Sequence, residues 1–441
     1  MTTVLEKKDL LCENVSVNEA GHLCFAGQDV TELAEKYGTP LYLMDEDRIR
    51  ERCRTYREAL SEAFGKGARA AYASKAASFK EIYRIMADEG MLVDVVSCGE
   101  IFTAHEAGFP LENALFHSNN KTDEDVAFAM AHGIGYFVAD NQEELYAVDR
   151  ECSKTGRRQK VLLRLTPGID PHTFAAVSTG KVDSKFGSAI ETGQAKEITA
   201  TALSLPGIEL AGYHCHIGSQ IFDDEVYLRA ADVMLTFMAQ MRDELGFTAR
   251  ILDLGGGFGV RYLPSDPHVD IRKNIFDIAD FVKDACVRLA LPLPAVILEP
   301  GRSIVADAGM TLYTAGTVKK IPEFVNYVSV DGGMTDNVRF AMYKSPYTLF
   351  AANKMNEECT MTASVVGRCC ESGDVIQEKV ALPASVGRGD VIACLSTGAY
   401  NYSMASNYNR IPRPPVVMLK NGTSRIAVRR ETYGDLASLD N

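Results

Sequence analysis

Hydrophobic and polar positions along the chain follow two regimes that change near residue 309. Before that point, short continuous apolar runs alternate with charged stretches. The runs lie at 69–74, 92–96, 114–117, 135–138, 160–166, 208–215, 249–254 and 295–298. Apolar runs of this length, without helical spacing and closed by turn residues, read as buried parallel strands. Stretches such as 123–132 and 142–155 separate them and read as charged helices. Leu41-Tyr42-Leu43 leads into another such helix over 45–63. Eight strands alternating with helices over roughly 250 residues predict a (β/α)8 barrel, with a doubly wound open sheet as the alternative. Functional residues on several strand ends favour the barrel, where all eight ends converge.

Beyond residue 309 the helical pattern stops. Residues 311–318, 327–330, 361–368, 391–395, 416–419 and 424–428 read as short strands of an all-β domain. Near the N-terminus, residues 14–26 alternate polar and apolar around Ala20-Gly21, a hairpin signature. A short helix over 31–37 is stopped by Gly38-Thr39-Pro40. The hairpin has no place in a barrel beginning near Pro40, so it is expected to pair with the C-terminal sheet. The expected organisation is a barrel over residues 39–308 and a β domain, sandwich- or barrel-like, made of 1–38 and 309–441. Residues 435–441 read as a frayed end.

Chemistry-bearing residues sit where the strand-like runs stop. The run 294–298 delivers Glu299-Pro300-Gly301-Arg302, and 70–74 delivers Lys75. The run 210–213 delivers His214-Cys215-His216-Ile217-Gly218-Ser219-Gln220, and 251–254 delivers Gly255-Gly256-Gly257-Phe258-Gly259. Lysine, histidine, a glycine cradle, glutamate and arginine together suggest a phosphate-bearing cofactor held by an imine-forming amine. Taken singly, each residue has a plainer reading. Lys75 is either an amine in an apolar site, where desolvation lowers its pKa, or a solvated surface lysine. The glycine run either exposes N–H groups to an anion or forms a tight strand-to-helix turn. His214 and His216, at strand spacing, face one side. A metal pair there lacks an apparent third ligand, so no metal is expected, and ring stacking or a structural role remains. Cys370, in Cys369-Cys370-Glu371-Ser372-Gly373-Asp374, is either a buried thiol or a proton donor or nucleophile. Arg339, Tyr343 and Tyr400 lie on loops of the same domain, where the plain reading is a surface salt bridge or an amphipathic cover.

Composition narrows the partners. The 441 residues carry a net charge of −13, which argues against nucleic acid or an anionic membrane. Glu6, Lys7, Lys8 and Asp9 interrupt the first residues before any apolar core of signal-peptide length. No apolar run approaches the ~18–20 residues of a membrane helix. Eleven Cys without a C-x-x-C pair fit core thiols in a reducing cytoplasm.

Six motifs in order carry a resemblance over about residues 40 to 415. Ala-Tyr-Ala-Ser-Lys-Ala (71–76), His-Ile-Gly-Ser-Gln (216–220), Gly-Gly-Gly-Phe-Gly (255–259) and Glu-Pro-Gly-Arg (299–302) resemble the fold-type III pyridoxal-phosphate decarboxylases. Cys-Glu-Ser-Gly-Asp (370–374) and Gly-Ala-Tyr-Asn-Tyr-Ser-Met-Ala-Ser-Asn-Tyr-Asn (398–409) are similar to the diaminopimelate decarboxylases among them. His117-Ser118-Asn119-Asn120-Lys121 and Ser184-Lys185-Phe186-Gly187 match as well. The resemblance implies decarboxylation of meso-2,6-diaminopimelate to L-lysine, with pyridoxal 5'-phosphate bound covalently to Lys75. It implies that His216 stacks on the ring and Glu299 meets the pyridine nitrogen. The phosphate would rest on Gly255, Gly256 and Gly257 in the cradle, near Ser219, Gly301, Arg302 and Tyr400. Cys370 would return a proton to the substrate carbon and Glu371 pair the distal ammonium. Arg302, Arg339 and Tyr343, with Tyr400 near them, would hold the distal carboxylate. A homodimer with shared sites follows, in which the partner copy supplies the Cys-Glu pair.

Two departures touch the carboxylate loop. Arg339-Phe340-Ala341-Met342-Tyr343 lacks the usual Arg-Pro before the tyrosine, and Lys344-Ser345-Pro346-Tyr347 replaces the usual Tyr-His. The rival within the family is a decarboxylase of ornithine, lysine or a carrier-linked glutamyl group. Ornithine and lysine enzymes of this fold usually carry Asp where Glu371 stands. An alanine racemase-like enzyme would carry Arg where Glu299 stands. A non-catalytic relative would have lost Lys75 or Cys370, and both are present.

Overall fold

A computed structural model describes residues 10–169 and 184–441. The charged residues Glu6, Lys7, Lys8 and Asp9 lie outside the described residues. The chain divides into two units. One comprises Met1–Arg50, Val260–His268 and Ile304–Asn441; the other comprises Glu51–Gly259 and Val269–Ser303.

The second unit is a closed parallel barrel. Its strands are Arg69–Ala73, Leu92–Val95, Ala114–Phe116, Tyr136–Ala139, Gln159–Thr166, Ile208–His214, Ile251–Asp253 and Ala295–Leu298. Each pairs in parallel with the next, and Ala295–Leu298 returns to Arg69–Ala73. These are the eight runs read from the sequence. The closed ring excludes the open sheet. Ala71, Leu92, Leu115, Val138, Leu162, Ala211 and Ile297, from seven strands, fill the interior as one apolar layer.

Side chains alternate across a strand, so the next inward position lies two residues further on. Those positions are Asp94, His117, Asp140, Arg164, Asp253 and Glu299. One step towards the C-terminal mouth, the interior thus turns from aliphatic to ionisable. On Ile208–His214 a register shift between Leu210 and Gly212 moves the alternation by one residue. Gly212 makes this possible, since a Cβ there would lie 1.9 Å from Ile251 O. Tyr213 then packs outward against Phe237 and Phe247, and His214 turns inward.

The first unit is a mixed nine-stranded sheet with a separate three-stranded one. Here the sequence expectations need correction. Leu41–Asp45, read as the lead-in to the barrel, pairs antiparallel with Gly309–Lys320 and parallel with Val416–Lys420. All five of its residues are buried, a pattern that a central strand of any sheet produces. Residues 260–268 also group with this unit. The N-terminal hairpin does not join the large sheet. Val15–Val17 and Leu23–Phe25 take Gln28–Asp29 as third strand. Their apolar face, Val15, Leu23 and Phe25, packs into a core with Leu41, Leu43, Leu312, Leu395 and Val417. Strands Leu349–Ala351 and Val375–Leu382 escaped the sequence pattern. The second carries Gln377, Glu378 and Lys379 at its centre, with Lys379 at φ 56°, so its alternation is broken. Helices do not vanish after residue 309 either. Arg339–Tyr343, Asn401–Met404 and Tyr433–Ala437 are short helices. The last is capped by Thr432 and pinned by Arg429 to Asp435, which orders part of the expected frayed end.

Candidate active site

Glu299 stands at the end of Ala295–Leu298, inside the barrel and 6% exposed. Its Oε1 lies 2.8 Å from His117 Nε2, and its Oε2 lies 3.1 Å from His214 Nε2. Burial pushes His214 down to about 4, so the ring is neutral and donates its Nε2–H to the carboxylate. Burial by itself would raise Glu299, but the two imidazoles outweigh it and hold the carboxyl well below its usual range. Burial, then the charge of Glu299, drives Asp253 the other way, well above its ordinary value. Asp253 Oδ1 accepts from Gly255 N at 2.9 Å and so fixes the start of the glycine run.

His117, His214 and Glu299 present ligand atoms within 4.8 Å of one another, the only such cluster among the described residues. The third ligand missing from the His214/His216 pair is thus on another strand, and His117, not His216, is the partner of His214. Two imidazoles and a carboxylate are a donor set that could take a divalent ion.

The glycine run is sterically obligatory. A Cβ on Gly255 would fall 2.6 Å from Cys215 O, on Gly256 2.0 Å from Glu299 O, and on Gly257 2.3 Å from Gly218 O. Gly255 and Gly257 also have positive φ, at 68° and 118°. His216, half-buried, stands against this turn: its Nδ1 would be 2.9 Å from the same Gly255 Cβ. Ser219 Oγ accepts from Arg302 Nε at 3.2 Å and Nη2 at 3.0 Å. Gly301 packs against Ala73, whose Cβ a side chain there would meet at 2.9 Å. The barrel thereby brings together Lys75, His216, Ser219, Gly255, Gly256, Gly257, Glu299, Gly301 and Arg302.

Lys75 follows Arg69–Ala73 in the one-turn helix Ser74–Ala76 and is exposed. The desolvated setting considered for it is not what the barrel provides. Its charge instead acts on Asp94, Glu100 and His216. Burial foremost raises Asp94, and it pushes Glu100 up to about 7.

The other unit groups the remaining candidates. Arg339 is 7% exposed, with its Cζ 5.5 Å from the Tyr343 ring centre and 5.1 Å from that of Tyr400. Its Nη2 donates to Ser345 at 3.4 Å, and no ion pair to it is described. At this burial the side chain is not part of a surface salt bridge. Tyr400 sits at φ 70°, strained for a bulky side chain, next to Gly398, whose Cβ would lie 1.8 Å from Val305 O. Cys370 is exposed, so it is no core thiol, and its N–H bonds Asn409 Oδ1 at 2.8 Å. Asp374 holds that loop by accepting from Met334 N at 2.6 Å and Cys369 N at 2.7 Å. Glu371 is exposed beside it. All eleven cysteines are free thiols.

Comparison with known proteins gives these features a family. The model for "Pyridoxal-dependent decarboxylase, pyridoxal binding domain" matches residues 46–306. The Diaminopimelate decarboxylase of Bacillus subtilis is 45% identical over 423 residues, covering 96% of each chain. The chain belongs to the diaminopimelate decarboxylase family. The crystal structure of the M. jannaschii enzyme of this name with L-lysine superposes at TM-score 0.88 with 33% identity, covering 97% of this chain and 98% of that one. A lysine/ornithine decarboxylase from Vibrio vulnificus complexed with putrescine is further off, at TM-score 0.74 and 26% identity, covering 89% and 98%.

For a member of this family, five interior residues carry no role in the sequence reading: Asp94, His117, Asp140, Arg164 and Asp253. Arg164 is half-buried near the end of Gln159–Thr166, its Nε 4.0 Å from Asp140 Oδ1 and its Cζ 4.4 Å from the Phe186 ring centre. Its charge acts on His214 and His216. Lys121, of the His117–Lys121 motif, is buried and paired to Glu144 at 2.7 Å. It also donates to Ser118 O at 3.2 Å, so it braces the turn that carries His117. One signal could have found all five: each lies at or just beyond a strand end, two residues past an apolar inward position. No helix among the described residues is long and apolar enough to cross a membrane.

Proposed function

We propose that this chain decarboxylates meso-2,6-diaminopimelate to L-lysine and CO2 with pyridoxal 5'-phosphate. The observation that carries it is the buried carboxylate of Glu299, kept ionised by His117 and His214 and set one turn from the glycine cradle. The residues fit the group. A cradle that no Cβ can enter, a hydroxyl and a guanidinium suit a phosphate, and the exposed Lys75 amine suits a covalent anchor. Bound there, pyridoxal phosphate supplies an electron-poor ring that takes up the electron pair left on the α-carbon as CO2 departs.

The chain's own groups set that chemistry up. Glu299 offers full negative charge to a ring nitrogen and favours its protonated state. Gly255, Gly256 and Gly257, Ser219, Gly301 and Arg302 bind the phosphate, with Tyr400 contributing. His216 covers the ring face, and its depressed basicity, from burial and then the Lys75 charge, keeps it neutral. Arg339, buried against Tyr343 and Tyr400 with no carboxylate described beside it, suits the substrate's distal carboxylate, with Arg302. Glu371 pairs the distal ammonium. Cys370 Sγ gives its proton to the carbon that lost CO2, a task its exposure allows. The assembly is a homodimer in which Cys370 and Glu371 of one copy complete the site of the other. Eleven free thiols suit the reducing cytoplasm.

An absorbance spectrum of the purified protein tests the reading. An imine band that borohydride abolishes, with label recovered at Lys75, is expected. Absence of that band in protein supplied with the cofactor overturns it.

A further inference from the structure

Below the apolar layer, at the N-terminal end of the barrel, the inward positions are Arg69, Asn113, Tyr136, Lys160 and Ala295. Barrel interiors are ordinarily filled by such layers. Here the small Ala295 and neighbouring glycines leave a half-open cavity of about 530 Å³, within the range of small-molecule sites. Arg69, Arg158 and Lys160 line it against a single carboxylate, Glu112. The contacts described for these three cations are an amide oxygen, a main-chain carbonyl and a ring face. Arg69 Nη1 donates to Asn113 Oδ1 at 3.3 Å, Arg158 Nη2 donates to Ile208 O at 2.7 Å, and Lys160 Nζ sits 5.5 Å from the Tyr136 ring centre. None is a carboxylate. In a chain of net charge −13, three cations around one cavity, none in contact with a carboxylate among the described residues, are conspicuous.

We propose that the floor of the barrel is a second ligand site, which takes a small dianion bearing a phosphate or two carboxylates. The excess of two positive charges matches a dianion, and Asn113 and Tyr136 offer further polar contacts to orient it. Half-burial of Arg69 disfavours its charged form, and a bound anion would relieve that cost. The same charge excludes a cationic amino acid such as lysine. The apolar layer of Ala71, Leu92 and Ile297 separates this cavity from Glu299, so the site is not an extension of the catalytic one.

Calorimetric titration of the cofactor-loaded protein with inorganic phosphate and, separately, with succinate tests this. The expected result is one saturable site per chain for at least one of the two, and the anion that binds names the class. Arg158→Gln and Lys160→Gln should each weaken that binding about tenfold or more, the usual worth of a hydrogen bond to a charged group. Both side chains are exposed, so folding and anion-free turnover should be unchanged. No saturable binding of either anion overturns the proposal, as does binding that both variants leave intact. Displacement of the anion by L-lysine would overturn it too.

Discussion

Glu299→Gln isolates the charge of the central carboxylate with little change of shape. The wild-type oxygens lie 2.8 Å from His117 Nε2 and 3.1 Å from His214 Nε2. An amide keeps one acceptor and turns an N–H towards the other imidazole, so one contact of the pair is lost. The larger effect is on the ring nitrogen of the cofactor. A unit charge pair at hydrogen-bond distance is worth about 5 kcal/mol at an effective dielectric of about 20. An amide dipole retains part of that, which leaves a loss of roughly 3–4 kcal/mol, or about 10²- to 10³-fold in kcat. The phosphate grip proposed for Gly255–Gly257, Ser219 and Arg302 is untouched, so cofactor affinity should fall less than about tenfold. Single-turnover decarboxylation at saturating cofactor, alongside a cofactor titration, separates the two effects. If the fully loaded variant turns over near the wild-type rate, the role given to Glu299 is wrong. The same holds if the whole deficit is cofactor affinity.

Gly256→Ala drives a Cβ to 2.0 Å from the Glu299 carbonyl, which is backbone and cannot yield; cofactor affinity and melting temperature should both drop, and an unchanged titration would refute the cradle. Glu46 is buried and ringed by Arg50, Lys420 and Arg425 at 2.8, 2.6 and 2.7 Å, which together overcome burial and pull its pKa down to about 2. Since the folded pKa is depressed, this stability is present above about pH 4.5 and lost as pH falls towards 2. Glu46→Gln should cost on the order of 2–3 kcal/mol at pH 7, after screening of the half-exposed cations, and little at pH 2, by urea unfolding across pH. Mixing inactive Lys75→Ala with inactive Cys370→Ala should restore roughly a quarter of wild-type activity, because half of randomly exchanged dimers are mixed and each keeps one intact site. No recovery despite demonstrated exchange would place both residues in one copy's site.

The barrel was legible because parallel strands buried on both faces leave continuous apolar runs, and each run ended where its strand ends. The motif residues were legible for the same reason: Lys75, Gly255 and Glu299 follow directly on those runs. The second layer was not. Asp94 and Asp253 are single acids inside apolar strands, and what makes them part of the site is a neighbour on another strand. His117 belongs to a motif, yet its contact with Glu299 spans strands far apart in the chain. Leu41–Asp45 misled because five buried residues fit a barrel strand and a mixed-sheet strand equally. The hairpin misled because its alternation specifies a half-buried strand but not the partner, which proved to be Gln28–Asp29.

The central claim concerns the substrate, and the loop around the one-turn helix Arg339–Tyr343 carries it. The roles proposed above give a distal ammonium to Glu371 and a distal carboxylate to Arg302 and Arg339. Under that proposal, lysine or ornithine lacks the carboxylate assigned to the arginines, at a cost of order 2–5 kcal/mol. The most direct measurement is kcat/KM for meso-diaminopimelate, L-lysine and L-ornithine, side by side on the cofactor-loaded protein. The account predicts a preference for meso-diaminopimelate of at least about a hundredfold. A kcat/KM for lysine or ornithine that equals or exceeds it would contradict the account.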